Sequence, residues 1–170
     1  VTEENVNEYI NSYFTFLLKR LLNRRYCLFY QGFVRVVGDN LCSWFTPEEI
    51  STIVNGEEKF EWDDLVTNTI YSNGYNESSL TITYFWDLFF NVFSQSERKK
   101  LLFFITGLRG SPIGGLKTIQ LRIEKNDDLN YLPTAHTCVF TLVLPDYQNK
   151  NILEDSLRVC LCNSEGFGFA

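Results

Sequence analysis

Apolar side chains recur at steps of three and four along residues 3 to 37, through Val6, Tyr9, Ile10, Tyr13, Phe14, Leu17, Leu18, Leu21 and Leu22. That spacing lines one face of a helix. Thr2, followed by Glu3 and Glu4, suits the N-cap and first turn, where acids meet the positive end of the helix dipole. A second helix is expected from about Tyr26 to Val36, broken by Gly38-Asp39-Asn40. Thr46-Pro47-Glu48-Glu49 starts a third, because the threonine caps, the proline fits the first turn and the acids suit the dipole. It stops near Asn55-Gly56.

The segment Gly56-Glu57-Glu58-Lys59 is polar and charged between two apolar stretches, the composition of a boundary. Beyond it the pattern predicts a helix over Trp62 to Thr69 and a turn over Ser72 to Asn76. A long aromatic helix from Ser79 to Phe93 follows, carrying Tyr84, Phe85, Trp86, Phe89 and Phe90, which read as core. Another runs from Ser94 to Ile105, capped by Ser94 or Ser96, with Arg98-Lys99-Lys100 as a solvated face and Tyr71 and Tyr75 as turn-packing residues. Gly110, Pro112, Gly114 and Gly115 then forbid a regular helix, and Leu116 to Glu124 alternates as a strand does. Asp127-Asp128 marks a turn. Val139 to Leu144 is a second apolar strand closed by Pro145-Asp146, and Lys150 to Leu161 returns to helical period. Helices, then strands, then a helix predict an α+β domain from about residue 59 onward.

Composition narrows the classes. With 170 residues, 45% hydrophobic and 16% aromatic, the chain can bury a proper core. A net charge of -6 with scattered cations offers no broad phosphate-neutralising surface, so nucleic acid is not an expected partner. No apolar run approaches the roughly 20 residues of a bilayer span. An N-terminus without a signal pattern and five irregularly spaced cysteines fit reduced thiols in an intracellular setting, cytoplasmic or nuclear. Starting at Val1 without any methionine, the chain reads as part of a longer polypeptide.

The one histidine, His136, stands two residues before Cys138. On an extended segment residues two apart share a face, so imidazole and thiol would share a surface. A thiolate is both nucleophile and acyl carrier. By composition alone the plainer reading is favoured: a small buried thiol beside a structural histidine. Leu132-Pro133 and the polar stretch Thr134 to Thr137 instead describe an exposed loop.

Leu132-Pro133-Thr134-Ala135-His136-Thr137-Cys138, then Leu144-Pro145-Asp146-Tyr147 and Glu165-Gly166-Phe167-Gly168, resemble the C-terminal end of the HECT-type ubiquitin ligases. Gln31-Gly32-Phe33, Phe45-Thr46-Pro47-Glu48-Glu49, Asn68-Thr69-Ile70-Tyr71, Gly74-Tyr75, Phe85-Trp86, Leu101-Leu102 and Thr106-Gly107 resemble the family in the same order. The resemblance covers essentially the whole chain. It implies that residues 60–170 are the C-lobe of a two-lobed catalytic domain, a small sheet flanked by helices. Residues 1–55 would then be the last helices of the N-lobe, and Gly56, Glu57, Glu58 and Lys59 the interlobe hinge.

Through the resemblance, Cys138 is the acceptor nucleophile, taking ubiquitin from a conjugating enzyme as a thioester and passing it to a lysine of a protein substrate. His136 and Thr137 would support the loop. Leu132, Pro133 and Thr134 would hold the ubiquitin tail as an added strand. Phe167 would position the loaded lobe late in transfer, its plainer role being to pin the tail. The dock for the conjugating enzyme would lie upstream, and no cofactor or metal is implied. Three departures from the family pattern stand out. Val139 and Phe140 follow the cysteine where many relatives have phenylalanine and asparagine. Gly110 stands, ungapped, where an arginine precedes the proline, with Arg109 one place earlier. Ala170 stands where some relatives have an acid, leaving the terminal carboxylate or Glu165 as substitutes. A catalytically incomplete ubiquitin-binding scaffold and, less favoured, a cysteine hydrolase are the competing classes; the hydrolase needs a base arriving from a distant segment.

Overall fold

The computed structural model describes residues 1–2, 5–17, 23–38 and 41–163, and the chain divides into two compact units, residues 1–50 and 51–170. The first unit is helical. It contains α1 (Val6–Thr15), α2 (Asn23–Val37), α3 (Leu41–Trp44) and the start of α4 (Pro47–Asn55). The cap of α1 falls at Asn5, whose Oδ1 accepts from the Thr2 amide at 2.7 Å, so helix begins three residues later than Thr2 suggests. Its apolar side chains are exposed; Tyr9 and Tyr13 stack one turn apart at 6.1 Å, as do Tyr26 and Tyr30 of α2 at 5.9 Å. The expected start of α4 is a complete capping box: Thr46 N donates to Glu49 Oε2 at 2.7 Å and Glu49 N to Thr46 Oγ1 at 3.2 Å.

The second unit is built on a four-stranded sheet in the order β1-β2-β4-β3. The strands are β1 (Ile70–Ser72), β2 (Arg122–Asn126), β3 (Thr134–His136) and β4 (Thr141–Pro145). β1, β2 and β4 run parallel, with Tyr71 beside Ile123 and Ile123 beside Leu142, while β3 runs antiparallel with Ala135 beside Leu142. Parallel strands need covered crossovers. The link from β1 to β2 carries α6 (Leu80–Asp87) and α7 (Gln95–Thr106), α8 (Lys150–Asn163) follows β4 and packs back on α6 and α7, and α5 (Trp62–Thr67) lies ahead of β1. Ile123, Leu142 and Leu144 are wholly buried against Phe85, Phe89, Leu101, Leu153 and Leu157. Coverage on both faces keeps Thr141, Leu142, Leu144 and Pro145 buried, whereas Val139, expected in the same strand, is exposed in the turn before β4.

The expected helix from Ser79 to Phe93 is α6 followed by a π turn at Leu88–Val92, closed by Phe93 N donating to Leu88 O at 2.8 Å. One extra residue per turn lets Leu88, Phe89 and Phe93 all face the core beside Phe85. Arg98 reads those rings: its Nη2 donates to Phe90 O at 2.6 Å and its guanidinium lies 5.7 Å from the Phe89 centroid. Lys99 Nζ sits 4.9 Å above the Phe60 ring. The basic run is therefore half-buried and engaged, not a solvated face, because long cationic side chains lay their stems and charges on nearby aromatics. Helix α7 starts on the expected Ser94 capping box with Glu97. The alternation at residues 116 to 124 resolves into a 3-10 turn at Leu116–Thr118 and then β2.

Candidate active site

β3 and β4 are joined by a single 3-10 turn, Thr137–Val139, with Cys138 at its centre and exposed. Phe140 N closes the turn on Thr137 O at 3.4 Å, and Phe140 takes left-handed backbone, φ 49°, before β4 begins. From the other side Arg122 N donates to Phe140 O at 2.9 Å, tying the turn to β2. The thiol thus stands at a short turn whose exit is anchored in the central sheet. His136, the last residue of β3, is also exposed. The two do not sit on one extended face as alternation implies, since the chain leaves strand geometry at Thr137 and period two ends there. Among the described residues, no side-chain hydrogen bond reaches His136, Thr137 or Cys138. Thr137 lies beside the end of α7, where a Cβ added to Gly107 would stand 4.0 Å from its own.

The three residues ahead of β3's second position differ in exposure. Leu132 and Thr134 are exposed, whereas Pro133 is buried. The Pro133 carbonyl oxygen accepts from Cys160 Sγ of α8 at 3.3 Å, and the Tyr131 carbonyl accepts from the Tyr147 hydroxyl at 2.5 Å. β3 ends the sheet order, so beyond it no described strand pairs. Burial pushes the Cys160 thiol up to about 11, which keeps it protonated, and burial likewise raises the Tyr147 phenol. Cys160 is thus no nucleophile. Cys27 and Cys162 are exposed but lie on helices α2 and α8 rather than at an anchored turn. Cys160 carries a sequence signal that residue-type reasoning passes over: with Leu153 and Leu157 it falls on the buried stripe of α8.

The segment read as a hinge is held within the second unit. Glu57 and Ser111 exchange backbone hydrogen bonds, Glu57 N to Ser111 O at 2.7 Å and Ser111 N to Glu57 O at 2.9 Å. Gly56, at φ +81°, lies against Gly110 and Ser111 so closely that a Cβ would meet Ser111 O at 2.6 Å. Glu58 is exposed, and Lys59 pairs with Glu61 at 2.8 Å on the surface. Gly56, Glu57, Glu58 and Lys59 also line an open cavity of about 660 Å³ with Phe60, Lys99 and Arg109. Phe167 and Glu165 lie outside the described residues. No helix among the described residues is long and apolar enough to cross a membrane.

The whole chain, residues 1–170, matches the HECT-domain (ubiquitin-transferase) family. It is 39% identical over 169 residues to a mouse protein named probable E3 ubiquitin-protein ligase HECTD2, covering 99% of this chain and 22% of that one. Human probable E3 ubiquitin-protein ligase HERC3 is 33% identical over 171 residues, covering 100% and 16%. A probable E3 ubiquitin protein ligase of fission yeast, C167.07c, is 33% identical over 175 residues, covering 100% and 17%. The chain therefore spans about a fifth of the length of the curated relatives it matches.

Proposed function

Since the chain belongs to the HECT-domain ubiquitin-transferase family, we propose that it carries the acceptor thiol of a ubiquitin ligase, with Cys138 accepting ubiquitin from a conjugating enzyme and passing it to a substrate lysine. The observation that supports this most is the placement of Cys138: an exposed thiol on one turn between β3 and β4, its exit anchored to β2. The Cys138 thiolate attacks the carbonyl carbon of the conjugating enzyme's thioester. A C–S bond forms to Cys138, and the donor cysteine leaves as thiolate, taking up a proton. In the second half a neutral lysine amine attacks the new thioester carbonyl, the C–S bond to Cys138 breaks, and an amide results, the proton lost by the amine passing to the departing thiolate or to water. The first exchange swaps one thioester for another, so orientation counts for more than an extreme nucleophile.

That weighting agrees with the surroundings, because no described side chain hydrogen-bonds Cys138 as a general base would. His136 and Thr137 serve the loop rather than proton transfer. Leu132 and Thr134, exposed on the approach to and start of the edge strand, would receive the ubiquitin tail by strand addition. Pro133 contributes by being buried and fixed. Residues 60–170 would act as the catalytic lobe and 1–55 as the end of the preceding lobe, joined at 56–59. The pairing of Glu57 with Ser111 supports a swivel on the N-terminal side of Glu57. A cytoplasmic or nuclear setting follows from this activity, and Phe167 would assist late in transfer.

The test mixes the full-length protein with ubiquitin-charged conjugating enzyme and resolves the products without reductant. Wild type should form a ubiquitin adduct that thiol removes, and Cys138→Ser one that resists thiol but yields to hydroxide. A ubiquitin-binding scaffold without transfer would give neither adduct, and that result sinks the transferase reading.

A further inference from the structure

A nucleophile whose surroundings hold no oriented base depends on where its loop is held, and the residues ahead of β3 are held from outside the sheet. Tyr147, in the link from β4 to α8, donates through its hydroxyl to Tyr131 O at 2.5 Å. Cys160, nearly three turns into α8, donates through its thiol to Pro133 O at 3.3 Å. The donors adjoin one another, with Ser156 beside the phenol and Cys160 close enough to act on it electrostatically. Both groups are protonated donors across the physiological range, since burial raises each. Resting on the transferase reading of Cys138, we propose that Cys160 and Tyr147 are positioning residues that clamp Tyr131 to Pro133, thereby fixing the free edge of β3 and the Cys138 turn for acyl transfer.

The geometry makes the clamp specific. Carbonyls 131 and 133 are taken, so the intervening Leu132, exposed, lies between two fixed points. β3 pairs with β4 over three residues only and otherwise rests on α7, and so short an edge strand frays readily where its lead-in is loose. A fraying β3 would misplace both the strand that meets the incoming tail and the thiol two residues beyond it. Misplacement by about 1 Å is enough to slow a positioned reaction up to roughly a hundredfold.

The experiment uses the full-length protein and measures single-turnover charging of Cys138 at saturating charged conjugating enzyme, beside melting temperature. Tyr147→Phe deletes one hydroxyl; Cys160→Val keeps the volume and deletes the donor; Cys160→Ser keeps a donor. Tyr147→Phe and Cys160→Val should each slow charging by about threefold to tenfold. Cys160→Ser should return to within about twofold of wild type. The double variant should lose less than the product of the two, because both hold one segment. Equal rates in Val and Ser variants, or rate losses that simply follow melting temperature, overturn the clamp. Amide hydrogen exchange at residue 132 and at 134–138 decides it independently of activity: faster exchange is expected in Tyr147→Phe and Cys160→Val, and unchanged protection in both overturns it. Wild type that never charges, with exchange accelerated in those variants, rejects the transferase reading while upholding the clamp.

Discussion

Gly110 approaches Asn55 so closely that a Cβ added to Gly110 would lie 2.4 Å from the Asn55 carbonyl oxygen, nearer than any real side chain sits. Backbone packs on backbone there, beside the paired Glu57 and Ser111. The glycine at the place where the family resemblance expects an arginine is thus required by the fold around it. Gly110→Ala should cost about 1–3 kcal/mol in denaturant unfolding, by forcing the two strands of chain apart. An alanine variant as stable as wild type would mean the junction yields freely.

Phe140 closes the Cys138 turn with φ 49°, a conformation a bulky side chain occupies at a cost of about 1–3 kcal/mol. Asparagine tolerates that conformation and valine, branched at Cβ, does not. Phe140→Asn should therefore be less destabilising than Phe140→Val, the reverse of what apolarity at this half-buried position would rank. Thermal melts of the two variants decide the order.

Glu97 titrates below the ordinary glutamate value of 4.5, chiefly because the Ser94 backbone amide and then its hydroxyl bind the carboxylate, with Arg158 adding to the effect. A depressed folded pKa gives stability that is complete above the unfolded value and lost as pH falls through the folded one. Stability should accordingly drop as pH is lowered from about 5 toward 3, and Glu97→Gln should flatten that slope while lowering stability at neutral pH. Urea titrations at a series of pH values measure both; an unchanged slope in the variant would remove Glu97 from the account.

Tyr75 is buried with its hydroxyl on Leu144 O at 3.0 Å, bridging the turn after β1 to the end of β4. Tyr75→Phe leaves that carbonyl without its partner and should cost about 1–3 kcal/mol. Burial also raises the phenol's pKa, so the wild type should lose stability as pH climbs above 10, its ordinary value, and the phenylalanine variant should lose less. Equal alkaline slopes would contradict this.

In the first unit Tyr9, Tyr13, Phe14, Tyr26, Leu28 and Phe29 are exposed. So much apolar surface seeks cover. The 170-residue chain by itself should elute from size-exclusion columns as a species that grows with concentration, and a monomer at every concentration would contradict that.

Much of this was readable from residue order. The caps at Thr46 and Ser94 and the stripes of α4, α7 and α8 are local, and local signals survive folding. The family motif places Cys138 by itself, whereas its geometry was not legible. β1 and β3 are three residues each, too short for period two to register, and the polar Thr134 to His136 reads as loop until β4 pairs with it. The 3-10 turn contains no glycine or proline to announce it. The bond from Cys160 to Pro133 spans 27 residues, and no window along the chain contains it. The basic run misled because Phe60 and Phe90, which hold its cations, lie outside its own turn of helix.

The sheet order carries a consequence for how the protein is made. β4 stands between β2 and β3, and β2 pairs with β1, some fifty residues earlier, only after α6 and α7 have crossed over. Long loops must close before such pairings form, so this sheet is expected late in folding. The Cys138 turn is local, but its tie to β2, Arg122 N on Phe140 O, joins that closure. A chain that stalls halfway would expose the same thiol without its geometry, so on the proposed reading of Cys138, loading with ubiquitin would double as a readout of the finished fold.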